Sequence, residues 1–148
     1  MGSARFGQNW LSFEEGLERI HRAIEEVDFQ PSHIVTSRHD VAVELRRLLG
    51  VEDVLPGIEQ WQLPIYMNGP SQFFITVGQP RVKVPTHSHG EGDLLRFIAN
   101  GSIIYEGEEL VEGDWMFVPA GAAYSFEAGD RGYYNCCCYQ CCCIGATA

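Results

Sequence analysis

Two short stretches of this chain of 148 residues predict its fold. Residues 85–89 read Pro-Thr-His-Ser-His, and residues 113–124 read Gly-Asp-Trp-Met-Phe-Val-Pro-Ala-Gly-Ala-Ala-Tyr. In the first stretch one residue separates His87 from His89, so on an extended backbone both imidazoles point to the same side. In the second stretch turn residues enclose a short apolar run, which is typical of a strand between two turns.

The chain beyond Pro56-Gly57 consists of short β-type runs separated by turn residues, which favours an antiparallel barrel or sandwich. We expect strands at residues 73–77, 82–84, 94–99, 102–105, 115–118, 124–127 and 133–143. Asn100-Gly101 lies between two of these strands and is typical of a two-residue hairpin turn, since both residues accept a positive φ.

The first part of the chain has a helical periodicity. Apolar residues recur every three or four positions from Ser12 to Val27, and Ser12 forms a capping box with Glu15 at the start of this segment. A second amphipathic segment runs from Ser37 to Leu49. We therefore expect a helical N-terminal extension at residues 1–56, packed on a β domain at residues 57–148.

Together the two stretches resemble the two-part motif of the cupin superfamily, whose small β-barrels usually hold one metal ion. The first motif has two histidines separated by one residue, then a glutamate, then a glycine. His87 and His89 fit the histidine positions. With the longer spacing Gly101 fits the glycine and Leu94 stands at the glutamate position, whereas the shorter spacing puts Asp93 there.

The second motif consists of a glycine, a proline, a second glycine and a histidine. Gly113, Pro119 and Gly121 fit its spacing, and Tyr124 stands at the histidine position. The resemblance covers residues 73–127 and implies an antiparallel cupin-type β-barrel, a jelly roll, which here follows two N-terminal α-helices. It also implies a divalent transition metal, Fe, Mn, Zn, Ni or Cu, held by the two histidines.

The third protein ligand of such a metal depends on the strand register. If Asp93 points inward, it supplies a carboxylate beside the two histidines. In the opposite register Leu94 and Arg96 point inward, and the buried guanidinium would repel a cation and attract an anionic ligand such as a substrate carboxylate. Tyr124 would act as a ligand or as a proton donor.

The six cysteines of the chain all lie between residues 136 and 143, unlike the dispersed cysteines of a secreted disulfide framework. On an extended strand, Cys136 with Cys138, or Cys141 with Cys143, could supply half of a site for a soft metal such as Cu(I) or zinc. Such a site could also form across a dimer. The alternative is that these cysteines serve as small hydrophobic residues in a last strand.

The charge and hydropathy of the chain exclude some classes of partner. Twenty acidic residues against ten basic ones give a formal net charge of −10, which disfavours binding to nucleic acid. No segment is continuously apolar for the length of a membrane span, so we expect no membrane partner and a cytoplasmic location.

These features predict a cupin-like protein that binds a metal or a small ligand. If it is an enzyme, we expect a metal-dependent oxygenase or isomerase acting on a small anionic organic substrate, with Tyr124 and Arg96 in catalytic roles. The alternatives are a non-catalytic ligand-sensing or regulatory protein, and a metal-handling protein that uses residues 136–143. We also expect a homodimer, because long strands leave sheet edges to be covered.

Overall fold

The computed structural model describes residues 11–29, 32–52, 54–90 and 92–143. Within them the chain forms, in order, α1 (Phe13–Glu26), β1 (Val35–Thr36), α2 (Asp40–Leu48), β2 (Ile65–Gly78), β3 (Lys83–His87), β4 (Leu94–Tyr105), β5 (Glu108–Val111), β6 (Trp115–Val118) and β7 (Tyr124–Cys143). The predicted fold class, mostly β with two N-terminal α-helices, is confirmed.

The strands form one antiparallel sheet. Their order is β1-β6-β4-β7-β2, with β3 also paired to β7 and β5 to β4. Among the described residues the sheet does not close into a complete barrel, since β1 lies at one end of this order and β2 at the other. One edge of β2 therefore pairs with β7, while its other edge has no neighbouring strand within the described part of the chain.

Both helices pack on one face of this sheet, which we call the outer face. The capping box that we predict for α1 is confirmed: the Ser12 hydroxyl accepts a hydrogen bond from Glu15 N at 3.2 Å, and the Glu15 carboxylate accepts one from Ser12 N at 2.8 Å. α2 begins at Asp40 instead of Ser37, because residues 35–36 first pair with β6 as strand β1. Neither described helix has the length and apolar character needed to cross a bilayer.

The sheet separates two apolar layers. The outer layer joins the helices to the outer face and contains Ile20, Ile24, Val35, Leu45, Leu49, Trp115, Phe117 and Cys138. The inner layer covers the opposite, inner face and contains Leu94, Ile98, Ile103, Leu110, Met116, Val118, Tyr124, Phe126, Tyr133 and Cys137. Successive side chains of β6 enter different layers, as the alternation of a strand requires, so this strand is buried on both faces.

The predicted hairpin turn at Asn100-Gly101 is wrong. β4 continues through these residues, and Gly101 has a φ of +71° at a point where the register between β4 and β7 shifts. The hairpin turn is Glu106-Gly107, with φ values of +49° and +80°, between β4 and β5. Both dipeptides accept positive φ, so the long-range pairing of β4 with β7 decides which becomes a bulge and which a turn.

The other strands agree with the prediction in part. β6 has the predicted bounds, whereas the strands predicted at 94–99 and 102–105 are one strand, β4, and those at 124–127 and 133–143 are one strand, β7. β2 begins at Ile65, well before the predicted start, and continues across an irregularity between Met67 and Gln72. β1, which is not among the predicted strands, lies within the segment expected to be a helical extension. The division into domains after residue 56 stays a prediction.

Candidate functional site

Two buried polar residues lie on the inner face of β4 and β7. Arg96 is 5% exposed and pairs in register with Cys137, while Asn135 is fully buried and pairs with Ile98. Because Leu94 and Ile98 belong to the inner layer and side chains alternate along a strand, Arg96 points inward as well. Of the two registers that the sequence allows, the structure therefore has the one with Leu94 and Arg96 inside.

The Arg96 guanidinium lies among aromatic rings. Its Nη2 donates a hydrogen bond to Tyr124 Oη at 3.2 Å, and its Cζ lies 4.7 Å from the ring centre of Phe126. Its Nε is buried and has no hydrogen-bond partner among the described residues, and no described Asp or Glu forms an ion pair with it. Burying an unpaired charge costs several kcal/mol, so this position favours an anionic ligand.

Asn135 supplies a second buried donor near Arg96. Its Nδ2 has no hydrogen-bond partner within the described part of the chain, while its Oδ1 accepts a hydrogen bond from the Cys137 thiol at 3.4 Å. Arg96 and Asn135 are diagonal neighbours in the pairing of β4 with β7, and such neighbours lie about 7–8 Å apart. Since both side chains leave the strands on the inner face, their two unpaired donors could converge on the oxygens of one carboxylate.

His87, His89 and Tyr124 form a cluster next to Arg96. The pairing of β3 with β7 places His87 opposite Tyr124, with 4.5 Å between the ring centres. The ring centres of His87 and His89 are 5.1 Å apart, and His89 Nε2 lies 3.2 Å from Tyr124 Oη. Because a guanidinium only donates, Tyr124 Oη accepts from Arg96, and its own proton is available to His89 Nε2. These four residues, which the sequence suggests as site residues, therefore lie together.

The environment of His89 favours its neutral form. Burial, and then the nearby His87 and Arg96, lower the pKa of His89 from its usual value of 6.5. The imidazole can therefore accept a proton near neutral pH, which is the state that a hydrogen bond from Tyr124 requires.

The lowered pKa of His89 predicts that acid destabilises the fold. The unfolded chain has the ordinary histidine pKa of about 6.5, so it binds more protons than the folded chain as the pH falls below that value. The contribution of neutral His89 to the free energy of unfolding is complete above about pH 6.5. It is lost as the pH falls through the lower pKa that His89 has in the folded chain. We expect the free energy of unfolding, measured by urea denaturation, to fall more steeply from about pH 7.5 to about pH 5 in the wild type than in His89→Asn.

The exposed His21 on α1 provides the matched control. His21→Asn should keep the steep pH dependence of the wild type. Identical slopes for the wild type and His89→Asn would contradict the assignment of the acid effect to His89.

Asp93 makes structural contacts in the segment before β4. Its Oδ1 accepts a hydrogen bond from Ala120 N at 2.8 Å, and its backbone carbonyl accepts one from Gln140 N at 2.8 Å. In the same region Gly121 N donates to the His89 carbonyl at 2.7 Å. The bonds from Ala120 and Gly121 connect the segment that carries His89 to the turn before β7, and the bond from Gln140 connects it to the end of β7. A metal-binding role for Asp93 stays a prediction.

The donors beside Arg96 fit an anion better than a divalent metal ion. The two imidazoles and the Tyr124 phenol meet here, but no group of three His, Cys, Asp or Glu side chains among the described residues is placed to hold an ion. A zinc site normally has four ligands, or three and a water. The Tyr124 oxygen is hydrogen-bonded to Arg96, and the guanidinium would repel a cation.

A cavity of about 550 Å³ adjoins His89. It lies between β2, the segment after β3 and the end of β7, and its walls include Phe74, Thr76 and Tyr139. The Tyr139 ring contacts Phe74 and His89 edge-on, with ring centres 5.4 Å and 5.1 Å away. Since His89 both lines the cavity and contacts Tyr124, a chain of contacts connects the cavity to Arg96.

Phe74, Asn135 and Tyr139 are site residues that the sequence does not single out. A usable signal exists for two of them, because Asn135 and Tyr139 share the predicted strand face of Cys137. An asparagine at an inward position of a predicted strand indicates a polar site. Phe74 carries no such signal, since its place at the cavity depends on how β2 pairs with β7.

The described cysteines divide between the two faces of β7. Cys137 is in the inner layer and Cys138 in the outer layer, and alternation places Cys136 on the face of Cys138. Burial raises the pKa of the Cys137 thiol, which keeps it protonated as the donor to Asn135. The side chains of Cys141 and Cys143 lie outside the described part of the structure. Metal-binding roles for these cysteines stay predictions.

Solved structures with a similar path of the chain include a protein of unknown function with a cupin-like fold from Ralstonia eutropha. It is 16% identical, with a TM-score of 0.43, over 47% of this chain and 46% of that one. A cupin protein from Bacteroides fragilis is 21% identical, with a TM-score of 0.42, over 55% of this chain and 72% of that one. The resemblance is to the cupin fold. KdgF from a Halomonas species is 17% identical, with a TM-score of 0.44, over 74% of this chain and 93% of that one.

These similarities concern the path of the chain alone. This chain covers less than half of the length of the first of these structures. No family model matches the chain, and no curated protein matches it. Because the TM-scores are below 0.5, the similarities carry no argument about function, and the proposals below depend on the contacts within the chain itself.

Proposed function

We propose that this protein binds a small organic carboxylate on the inner face of its sheet, with Arg96 as the anchor. The observation that carries the proposal is the buried guanidinium, whose Nε has no partner and whose charge has no paired carboxylate among the described residues. A ligand carboxylate would supply both the missing acceptor and the missing charge.

The surrounding residues suggest how the ligand lies. One carboxylate oxygen would accept from Arg96 Nε and the other from Asn135 Nδ2, the two unpaired buried donors. The rest of the ligand would extend towards the cavity beside Phe74 and Tyr139. The cavity volume of about 550 Å³ lies within the usual range for small-molecule sites, about 300–1,000 Å³. Aromatic walls suit a planar organic ligand.

Two functions are compatible with this binding mode, catalysis and ligand sensing. The contact between Tyr124 and His89 favours proton-transfer chemistry, as in an isomerase: as Tyr124 gives its proton to His89 Nε2, its oxygen could take one from the substrate, and the reverse transfer could return a proton at a second position. The hydrogen bond from Arg96 would stabilise the phenolate that Tyr124 becomes after giving its proton. A non-catalytic ligand sensor would use the same pocket without turnover.

The proposal is tested by titrating the protein with benzoate and with benzamide, two planar probes that differ in charge. A hydrogen bond to a charged group contributes about 1.5–3 kcal/mol, so we expect benzoate to bind at least about tenfold more tightly than benzamide in isothermal titration calorimetry. Equal affinities, or binding of neither probe, would contradict the proposal.

The metal-dependent alternatives are tested by elemental analysis of the purified protein for Fe, Mn, Zn, Ni and Cu. An ion that disappears in His87→Ala would support a metal site at His87 and His89. An ion that is released when the thiols are alkylated would support a metal-handling role for residues 136–143. A divalent ion bound at the histidines would also count against an anion beside Arg96.

We also propose a homodimer that forms through β2. This strand has one unpaired edge among the described residues, carries no charged residue, and exposes Phe73, Ile75 and Val77 by 58–64% on one face. Natural edge strands usually carry charges or are covered, so an uncharged apolar edge favours pairing with a second copy.

Sedimentation velocity tests the dimer. We expect the wild type to sediment as a dimer and Ile75→Lys as a monomer, because a lysine there would place like charges close together across the two-fold axis. Val111→Lys on β5 is the matched control, since Val111 is also a partly exposed apolar strand residue but lies away from β2. A monomeric wild type, or a dimeric Ile75→Lys, would contradict the proposed interface.

A further inference from the structure

A pair of sulfur atoms lies on the side of β7 opposite to the carboxylate site. The Cys138 Sγ is 3.6 Å from Met67 Sδ. Their backbones are not register partners, since Cys138 pairs with Phe73 and Met67 pairs with Cys141. The register shift between Met67 and Gln72 brings the Met67 side chain to Cys138. The contact is therefore built by an irregularity of β2 and not by simple strand pairing.

The two sulfur atoms of this pair have different surroundings. Cys138 is 6% exposed and belongs to the outer layer, which also contains Trp115 and Phe117. Met67 is 50% exposed. An ion could therefore arrive from solvent at Met67 and bind a thiol that lies in an apolar environment.

Cys136 adds a third sulfur to the same face. It precedes Cys138 by two residues, so the two side chains leave the strand on the same side, about 6.6–6.8 Å apart along it. Cys136 is partly exposed. Cys137 lies between them but points to the inner face, where its thiol donates to Asn135, so it does not belong to this group.

We propose that Met67 and Cys138 bind one Cu(I) ion, with Cys136 as a third ligand. Thiolate and thioether sulfurs are soft donors, and this combination selects Cu(I). Zinc normally takes four ligands from Cys, His, Asp and Glu, and the described residues contain no group of even three such side chains placed to hold an ion.

Binding of Cu(I) displaces protons from the thiols and leaves the oxidation state of copper unchanged. As each bond between copper and a thiol sulfur forms, the S–H bond breaks and the proton passes to solvent, while copper stays Cu(I). The copper site does not depend on carboxylate binding, which uses the other face of the sheet.

The test uses the full-length protein with selenomethionine in place of methionine, loaded without oxygen with one equivalent of Cu(I) as its acetonitrile complex. X-ray absorption at the copper edge reports whether selenium is a direct neighbour of copper. We expect selenium beside sulfur in the wild type, loss of the selenium signal in Met67→Leu, and its retention in Met116→Leu. Met116 is the matched control because it is buried in the inner layer.

A competition titration with the Cu(I) chelator bicinchoninate measures the affinity of the same proteins. Met67→Leu should bind the first Cu(I) at least about tenfold more weakly, since even indirect partners of a metal site contribute 10–100-fold, and Met116→Leu should be unchanged. Leucine has a similar size and Met67 is half-exposed, so Met67→Leu is expected to fold. Copper with sulfur neighbours alone, or a selenium signal that persists in Met67→Leu, would overturn the proposal.

Discussion

Arg96→Met is expected to weaken benzoate binding by about thirtyfold or more. The substitution removes the buried guanidinium but keeps most of its volume, so the carboxylate loses its charged donor while the inner layer stays filled. A hydrogen bond to a charged group contributes about 1.5–3 kcal/mol, and about 2 kcal/mol corresponds to thirtyfold. Arg96→Lys should bind with an intermediate affinity, because lysine keeps the charge but lacks the planar, forked donor geometry. Isothermal titration calorimetry measures all three proteins.

Arg131→Met is the matched control for this substitution. Arg131 is an exposed arginine on β7, so the same chemical change should leave benzoate binding unaltered. The free energy of unfolding of Arg96→Met should equal or exceed that of the wild type, because a buried unpaired charge is removed. Wild-type affinity in Arg96→Met would show that Arg96 is not the anchor. A loss of stability would show that the hydrogen bond to Tyr124 and the contact with Phe126 outweigh the cost of burying the guanidinium.

Gly101→Ala is expected to lower the free energy of unfolding by about 3 kcal/mol or more. An added Cβ would lie 2.1 Å from the Gly132 carbonyl oxygen and 3.0 Å from Tyr133 Cα. These are backbone atoms of β7, which cannot move aside without disturbing its pairing with β4. The φ of +71° at Gly101 adds a second cost, because residues with a Cβ disfavour this conformation.

Gly107→Ala separates these two costs. Gly107 also has a positive φ, +80°, but a Cβ there would have no atom within 4 Å. We therefore expect only the conformational cost, about 1–2 kcal/mol, in urea denaturation. An equal loss of stability in the two variants would contradict the close approach of β4 and β7 at Gly101.

Local sequence signals predict those elements whose ends are determined locally. The capping box at Ser12 predicts the start of α1, and turn residues on both sides of Trp115–Val118 give the bounds of β6. The distinction between a bulge at Gly101 and a turn at Gly107 is not local, because it depends on where β7 pairs. For the same reason the sequence does not show that β2 continues across Asn68-Gly69-Pro70-Ser71.

The candidate site could be predicted in part. The spacing of the motifs leads to His87, His89 and Tyr124, and the pairing of β3 with β7 brings them together. The choice between Asp93 and Arg96 depends on strand register. The sequence alone is compatible with either residue pointing inward. The cavity beside Phe74 and Tyr139 depends on the contact of two strands that are far apart in sequence.

A crystal structure of the protein with bound 4-bromobenzoate would test the central claim, that Arg96 anchors a carboxylate on the inner face. The anomalous signal of bromine locates the ring independently of the carboxylate. We predict bromine in the cavity near Tyr139 and a carboxylate oxygen within hydrogen-bonding distance of Arg96 Nε. Bromobenzoate bound elsewhere, with Arg96 Nε paired to a carboxylate of the protein, would contradict the claim.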